Sequence, residues 1–494
     1  MNIPLVLHTL GNLFLLLSGI LLIPFGVSVC YGTREEIWAF VFSFIASGFT
    51  GISLKFLMTP KNEDITIREG LAIVAFWWMS CALFGALPYY FSGVCDTFCD
   101  SYFESMSGLT TTGASIFSDI EALPHGILFW RSMTQWLGGM GIVVFFVAIL
   151  PTIGVGGHKL FSAEAPDLTT DKIKPRIAQT AKILWVVYLS LTAILIPFLW
   201  LGGMEFFDAV CHAFTTVSTG GFSTKNLSIA AYDNLFIEII IMVFAFIAGC
   251  NFILYYQLVI GKFRRVLVNS ELRFFVTLVI CAICIVTLTL FFFHSTSYNG
   301  GVKDHRFNSI GGSLRYAAFQ TVSIITSTGY CNADFDLWPN FTRVFLVLLM
   351  FIGGCAGSTA GGMKVARIML LCKSSARELL HMLRPRAIMH VKLSGKPVGE
   401  DIITNTLGFI VIHLGIFGVF SLILTLFGTD LVTSFSAVAS MMSNVGPALA
   451  DAGATRNYHE IAYPCKWVLT LSMLIGRLEI YTVILIFLPL TWKK

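Results

Sequence analysis

Ten long apolar runs constrain the fold of this chain more than any other feature of its sequence. About 20 mainly apolar residues cross the hydrocarbon core of a bilayer as one helix, and each run is long enough. The composition agrees, since 56% of the 494 residues are hydrophobic and 12% are charged, against roughly 45–50% and 25% in soluble domains. The sequence therefore excludes a soluble enzyme with a membrane tail and predicts an all-α polytopic membrane protein with ten transmembrane helices. The runs cover residues 9–31, 37–58, 69–92, 127–152, 179–202, 234–260, 272–294, 341–371, 402–427 and 464–491.

Lys and Arg are distributed unevenly between the two sides of these runs. An even number of spans places both termini on one side, and 22 of the 32 Lys and Arg residues fall on that side. By the positive-inside rule, both termini are expected in the cytoplasm. The largest basic group is predicted to set this orientation and to contact anionic lipid. Its members, within residues 364–396, are Lys364, Arg367, Lys373, Arg377, Arg384, Arg386, Lys392 and Lys396.

Four shorter, semi-polar stretches lie between the runs, all on the predicted outer side. At 96–115, 204–222, 313–331 and 430–447 they are too short to span, so we expect them to be re-entrant. Their sequences are related, reading MSGLTTTGAS at 106–115, FTTVSTGGFS at 214–223, SIITSTGYCN at 323–332 and MMSNVGPALA at 441–450. Aligned on Gly113, Gly220, Gly329 and Gly446, they recur at intervals of 107, 109 and 117 residues. A repeat of this length predicts one unit of helix, re-entrant loop and helix.

Four similar units are what a pore on a pseudo-fourfold axis requires. Non-helical backbone at membrane depth is tolerated where it lines a water-filled cavity, and its carbonyl groups can replace the hydration shell of a cation. Gly and Thr also serve close helix packing, but that alternative does not account for four matches at nearly constant spacing. The sequence therefore predicts two leading helices at 1–66 and pore repeats at 67–160, 161–265, 266–397 and 398–494.

Four segments resemble the Trk/Ktr/HKT superfamily of potassium transporters, and specifically its TrkH-type membrane subunits. They read FESMSGLTTTGAS at 103–115, CHAFTTVSTGGFS at 211–223, GGCAGSTAGGMKVAR at 353–367 and SMLIGRLEIYT at 472–482. The resemblance covers essentially the whole chain and implies K⁺ uptake through a filter of backbone carbonyls. Since Ser in place of the first filter Gly accompanies Na⁺ transport in the plant branch, Gly113 favours K⁺. The implied filter residues are Thr111, Thr112, Gly113, Ser218, Thr219, Gly220, Ser327, Thr328, Gly329, Asn444, Val445 and Gly446.

Residues 353–362 read GGCAGSTAGG, in which five of ten positions are Gly. Each Gly costs about 1 kcal/mol relative to Ala inside a helix, so an unwound loop is predicted here, with a kink or a close helix contact as the alternative. In the resembled family this segment is an intramembrane loop that gates the pore. The gating residues implied are Gly353, Gly354, Gly357, Ser358, Thr359, Gly361 and Gly362.

Arg477 lies near the middle of the last apolar run. An ionisable residue at that depth is expensive to bury and is therefore expected to be functional. A structural ion pair with Glu479 is the alternative. The resemblance implies that this Arg projects toward the pore as a barrier to cations, so its removal is expected to raise K⁺ flux.

No motif for enzymatic chemistry is present, so an enzyme is not expected. HExxH, G-x-S-x-G and Walker A sequences are all missing, and the ten His residues are scattered. No cofactor is therefore assigned to this chain, and no nucleic acid is expected as a partner. The resemblance implies a homodimer in the bacterial cytoplasmic (inner) membrane, with K⁺ as the transported ion. It also implies that the basic group docks a cytosolic TrkA-type ring that carries the regulatory nucleotide, of the NAD or ATP class.

Two questions stay open at the level of sequence. Parallel repeats favour a gated pore driven by membrane potential, but a K⁺/H⁺ or K⁺/Na⁺ symporter with alternating access is the alternative. Cys95 and Cys99 are four residues apart in an outer stretch, where they form a disulfide or lie unbridged on a short helix.

Overall fold

The computed structural model describes residues 2–60, 66–141, 177–293, 307–386, 389–478 and 480–487. Within these ranges the regular structure is helical apart from one antiparallel hairpin, β1 (Lys392–Leu393) and β2 (Lys396–Pro397). The prediction of an all-α membrane protein is confirmed.

The two leading helices, α1 (Ile3–Tyr31) and α2 (Arg34–Leu57), pack closely on each other. A Cβ at Gly11 would lie 2.9 Å from the Gly51 carbonyl oxygen, and a Cβ at Gly51 would lie equally close to that of Gly11. Small residues at such a crossing let two membrane helices approach within van der Waals contact. Gly32 ends α1 in the left-handed conformation, with φ of 81°, which a residue without a Cβ adopts at little cost.

The remaining helices repeat one order, in which a long apolar helix is followed by a short helix and then by a second long or broken helix. The first unit contains α3 (Ile67–Phe91), α4 (Phe98–Leu109) and α5 (His125–Gly139). The second contains α6 (Ile177–Leu201), α7 (Phe206–Val217), α8 (Leu235–Gly249), α9 (Phe252–Val259) and α10 (Phe263–Val268). The third contains α11 (Ser270–Phe293), α12 (Ile310–Ile325), α13 (Asn340–Met350) and α14 (Val365–Leu383). The fourth contains α15 (Glu400–Leu426), α16 (Leu431–Met442), α17 (Tyr463–Leu478) and α18 (Ile480–Phe487).

We call α4, α7, α12 and α16 the half-helices, because they are too short to cross the bilayer. Three have 12 residues and α12 has 16, which at 1.5 Å per residue is well short of a core about 30 Å thick. Side chains fix where three of them begin, since Thr97, Ser309 and Asp430 accept hydrogen bonds from backbone N–H groups of the first turn. Such caps satisfy donors that a helix leaves unpaired.

Two predicted helices are interrupted in the structure. Residues 234–260 form α8 and α9, which bend by 96°, because Asn251 caps a new helix by accepting a hydrogen bond from Ile253 N at 2.9 Å. Residues 341–371 are broken between α13 and α14. Hydropathy reports how apolar a segment is but not whether its backbone keeps one direction.

Six of the described helices are long and apolar enough to cross a membrane, and α8 with α9 forms a bent pair that meets the same test. The total of ten crossings and the division at residues 66, 160, 265 and 397 stay predictions. The run at 127–152 is helical to Gly139, and its part beyond residue 141 lies outside the described residues. Cys95 and Cys99 are both free thiols.

Ion pairs that are buried or partly buried join neighbouring units. Lys466 of the fourth unit lies 2.5 Å from Asp100 of the first, and Arg315 of the third lies 2.7 Å from Glu238 of the second. Arg131 lies 2.8 Å from Glu104 within the first unit and donates to the Ser223 carbonyl of the second at 3.2 Å.

Replacing Arg131 with Met is expected to destabilise the protein by about 3–5 kcal/mol, because Glu104 would stay buried without its partner. The side chains are 1% and 0% exposed, so water cannot compensate. The thermal midpoint of the detergent-purified protein measures the effect. The double variant Arg131→Met/Glu104→Gln should recover a substantial part of the loss, and a double variant as unstable as the single one would contradict the pairing.

A closed ring of four re-entrant loops

All four half-helices end in the same turn. The second residue beyond each helix is left-handed, with φ of 55° at Thr111, 55° at Thr219, 52° at Ser327 and 53° at Asn444. The next residue then donates its N–H back to the half-helix at 2.8 to 2.9 Å, from Thr112, Gly220, Thr328 and Val445 to the carbonyls of Ser107, Thr215, Ser323 and Ser440. The four loops therefore share one backbone conformation despite different sequences.

This shared conformation corrects the alignment of the second unit by one residue. The left-handed glycines are Gly113, Gly221, Gly329 and Gly446, with φ of 81°, 77°, 78° and 100°. Gly221 rather than Gly220 is the counterpart of Gly113, and Ser218 corresponds to Thr110, just before the loop. The sequence misled because FTTVSTGGFS has two adjacent glycines, and only the backbone shows which of them takes the left-handed position.

These glycines join the four loops into a closed ring. A Cβ on Gly113 would collide with the Gly220 carbonyl, one on Gly221 with that of Thr328, and one on Gly329 with that of Val445. A Cβ on Gly446 would lie 2.5 Å from the Thr112 carbonyl oxygen, which closes the circle. Each unit thus contacts the next in sequence order, and the fourth contacts the first, as predicted for a pseudo-fourfold arrangement.

The ring contains four carbonyl groups that accept no hydrogen bond from the residues that the structure describes. In the described part of the chain, no N–H or O–H group donates to the carbonyl oxygens of Thr111, Thr219, Ser327 or Asn444. These residues are at most 1% exposed, and a buried carbonyl without a partner costs free energy. The half-helices also direct their carboxyl ends, which carry partial negative charge, at the ring. Both features favour a positive ion.

Side-chain hydrogen bonds brace the loops, one set from Gln135 of α5 and one from Asn444 of the fourth loop itself. Gln135 donates to the Gly220 carbonyl at 2.7 Å and accepts from Phe222 N at 3.0 Å. Asn444 donates through its side chain to Thr112 Oγ1 at 2.9 Å and to the Met473 carbonyl at 3.0 Å. Sequence reasoning did not single out Gln135 or Arg131. Both are polar residues inside an apolar run, which is a signal that marks functional positions in membranes.

The glycine-rich segment between α13 and α14 is unwound, as predicted, and lies against the ends of the half-helices. Thr359 Oγ1 donates at 3.2 Å to the carbonyls of Val217 and Ala248 and lies 3.3 Å from Thr219 Oγ1. Gly361 N donates to Ser327 Oγ at 2.6 Å. We call residues 351–363 the central loop, since it contacts the second and third units and, through Gly361 packed on the Ser443 carbonyl, the fourth.

The predicted gating residues differ in exposure. Gly353, Gly354, Thr359 and Gly361 are buried, Ser358 and Gly362 are half-buried, and Gly357 is exposed. Gly353, Gly357 and Gly362 have positive φ, at 74°, 71° and 75°. These glycines allow the turns that a helical segment would not permit.

Arg477 is bonded to backbone carbonyls of the first unit and of the central loop. Its guanidinium donates to the Thr359 carbonyl and to that of Gly139, each at 2.9 Å, and also to that of Gly138. This charge therefore joins the central loop to the end of α5. The alternative partner, Glu479, lies outside the described residues.

The basic group at 364–396 does not form one continuous surface. Arg367 is 6% exposed and stacks on Phe409, with its guanidinium carbon 4.1 Å from the ring centre. Arg377 pairs with Glu400 at 2.5 Å, and Lys373 donates to the Lys392 carbonyl at 2.8 Å. The pairing with Glu400 and Glu378 raises the pKa of Arg377, so this side chain stays charged at all physiological pH values.

Comparison with known proteins gives one consistent result. Residues 36–493 match the model of the TrkH family, described as "Cation transport protein". The chain is 38% identical to the Trk system potassium uptake protein TrkH of Escherichia coli strain K12, over 100% of both chains. It is 33% identical to TrkG of the same strain, over 100% of this chain and 99% of that one. The crystal structure of the potassium transporter TrkH from Vibrio parahaemolyticus superimposes with a TM-score of 0.87 and 36% identity, again over 100% of both chains.

Proposed function

Because this chain belongs to the TrkH family of cation transport proteins, we propose that it takes up K⁺ through the ring of four re-entrant loops. The observation that carries the proposal is the set of four equivalent buried carbonyls, on Thr111, Thr219, Ser327 and Asn444, that no donor in the described residues reaches. The names of the relatives support K⁺ as the ion, since they are Trk system potassium uptake proteins. Family membership also makes the chain a transport protein and not an enzyme.

The loops discriminate among ions by the polar atoms they leave available. The N–H groups of Thr112 and its counterparts are used, since they donate back to the half-helices. The carbonyls of Thr111 and its counterparts remain available, and they can replace the hydration shell of a cation but not that of an anion. The filter runs over Thr111–Gly113, Thr219–Gly221, Ser327–Gly329 and Asn444–Gly446, which moves the second wall one residue beyond the Ser218–Gly220 of the sequence alignment.

The central loop serves as the gate of this pore. It lies at the carboxyl ends of the half-helices, where Thr359 contacts the second unit and Arg477 binds its carbonyl. Five of the seven implied gating residues are Gly, so the segment can change path at low steric cost. Arg477 holds the loop and adds a fixed positive charge that lowers the occupancy of the path by K⁺.

A regulator of the transport activity binds on the cytoplasmic side. We assign both termini and the basic group at 364–396 to the cytoplasm of a bacterial inner membrane, on the positive-inside rule. A TrkA-type ring carrying a nucleotide of the NAD or ATP class docks there. Because α14 starts directly after the central loop, a regulator that binds Lys373 or Arg377 and displaces α14 would also displace the loop. Two copies of the chain form the membrane unit, as the family resemblance implies.

The reversal potential in a planar bilayer tests the proposal. With a tenfold K⁺ gradient, the current should reverse about 59 mV from zero, at the K⁺ equilibrium potential, and a pH gradient should not move it. Uptake then needs no coupled ion, since membrane potential supplies about 2.3 kcal/mol per charge per 100 mV. A shift of about 30 mV for one pH unit would indicate one-to-one K⁺/H⁺ symport. A shift with an Na⁺ gradient would indicate K⁺/Na⁺ symport instead.

A further inference from the structure

Two cationic side chains bind consecutive carbonyls of the central loop. Arg477 donates to the Thr359 carbonyl at 2.9 Å, and the ammonium group of Lys364 donates to the carbonyl of Ala360, the next residue. The two side chains come from different units, since Arg477 lies on α17 and Lys364 precedes α14. Both carbonyls lie in the interior beside the ring. Thr359 and Ala360 are buried, and Thr359 contacts Thr219, which belongs to the ring.

Lys364 holds an unusual backbone conformation at this place. Its φ is 67°, and a residue with a Cβ at positive φ is strained, so the surrounding structure must hold it there. Lys364 directly follows the loop and is the N-cap residue of α14, and Val365 N is bonded to the Gly354 carbonyl at 3.0 Å. The strain therefore lies at the junction where a moving loop would meet a fixed helix.

The chemistry of an ammonium group gives this contact a specific meaning. An ammonium is a compact, strongly hydrated point charge, and carbonyl oxygens are the ligands that replace water around K⁺. The Lys364 ammonium on a loop carbonyl is thus a cation tethered to the protein, at a carbonyl that a passing K⁺ would otherwise meet. Arg477 adds a second charge one residue away, so a K⁺ ion entering from the ring is opposed by both.

We propose that Lys364 is a second cationic latch, which positions the central loop across the path by binding the Ala360 carbonyl beside the carbonyl bound by Arg477. The inference rests on the proposed function, in which the central loop is the gate. Opening then requires two adjacent cation–carbonyl contacts to break, one from the third unit and one from the fourth. Lys364 acts as a positioning residue, because it holds the loop without forming the filter.

The first experiment compares Lys364→Met with Lys364→Arg and with Lys262→Met in bilayers that contain no regulator. A hydrogen bond from a charged group contributes about 1.5–3 kcal/mol, so Lys364→Met should raise the open probability at least about tenfold. Lys364→Arg keeps the charge and should stay within about threefold of the parent. Lys262 is exposed between α9 and α10, outside the basic group, so Lys262→Met removes one positive charge elsewhere and should match the parent. Lys364→Gln removes the charge but keeps a polar side chain, and it replaces Lys364→Met if that variant fails to fold.

A second readout reports the position of the loop without any K⁺ current. Cys250, at the bend after α8, lies beside Cys355 of the central loop, since Cys355 N donates to the carbonyl of Gly249, the residue before Cys250, at 2.9 Å, and the two thiols interact. Copper–phenanthroline with oxygen takes two electrons and two protons from such a pair and leaves a disulfide, which peptide mapping detects. The parent should cross-link rapidly, and Lys364→Met should cross-link several-fold more slowly.

The two readouts separate failure of the latch from failure of the proposed function. If the parent carries no K⁺ current but Lys364→Met still slows the cross-link, the latch holds and the gated pore is wrong. If the parent conducts K⁺ and Lys364→Met changes neither open probability nor cross-linking, the latch is overturned. A Lys262→Met variant that behaves like Lys364→Met would also overturn it, because the effect would then follow net charge rather than the bond to Ala360.

Discussion

K⁺ conductance is expected to fall by at least about tenfold when Gly221 is replaced by Ala. The left-handed conformation costs an L-residue roughly 1–2 kcal/mol, and Gly221 has φ of 77°. The added Cβ would also collide with the Thr328 carbonyl of the next unit. The Thr328 carbonyl cannot move away without displacing the third loop, so the substitution distorts the second and the third loop together. Currents of the purified variant in bilayers measure the loss.

Gly220→Ala is the matched control, since it adds the same methyl group one residue earlier. Gly220 is not among the residues with positive φ, and its Cβ would meet the flexible end of the Gln135 side chain, not backbone. Its loss of conductance should therefore be several-fold smaller. A larger loss of conductance in Gly220→Ala than in Gly221→Ala would support the alignment made from the sequence and contradict the register of the ring.

Arg477→Ala is expected to raise K⁺ flux by about tenfold or more. The guanidinium donates to the Thr359 carbonyl of the central loop and to the Gly139 carbonyl at the end of α5. Each hydrogen bond from a charged donor contributes about 1.5–3 kcal/mol. Its removal frees the loop and also deletes a fixed positive charge from the path. Rubidium uptake into vesicles under a fixed membrane potential measures the change.

Arg477→Lys serves as the control for charge. An ammonium keeps the positive charge but cannot bind three carbonyls in one fork geometry, so its flux should lie between that of the parent and that of Arg477→Ala. Unchanged or lower flux in a folded Arg477→Ala variant would eliminate the barrier role. Equal flux in the Lys and Ala variants would assign the effect to the fork of hydrogen bonds and not to the charge.

The sequence predicts the architecture well, because both of its main signals are strong. Apolar length identifies membrane helices such as α1 and α15, and related loop sequences at nearly constant spacing indicate four equivalent units. The five glycines between residues 353 and 362 likewise predicted an unwound segment, since helix propensity disfavours so many. These features depend on local composition, which a single chain displays directly.

What the sequence could not predict depends on contacts between distant residues. The 96° bend at Cys250 and Asn251 occurs inside an apolar run, and hydropathy does not record direction. The choice between Gly220 and Gly221 depends on a carbonyl of the third unit. The contact of Lys364 with Ala360 could not be predicted either. In the sequence the basic group at 364–396 looks like one surface cluster, and only the fold shows that its members have different surroundings.

The closure of the ring has a consequence for the order in which the protein is made. Gly446 meets the Thr112 carbonyl, and Lys466 reaches Asp100 across 366 positions of the chain. Contacts at such separation form late, after long loop-closure steps, so the ring closes only after the fourth loop has been synthesised. A nascent chain that stops before the fourth loop has three of the four walls. Under the proposed function such a chain encloses no path for K⁺, so an incomplete chain does not leak ions through the ring.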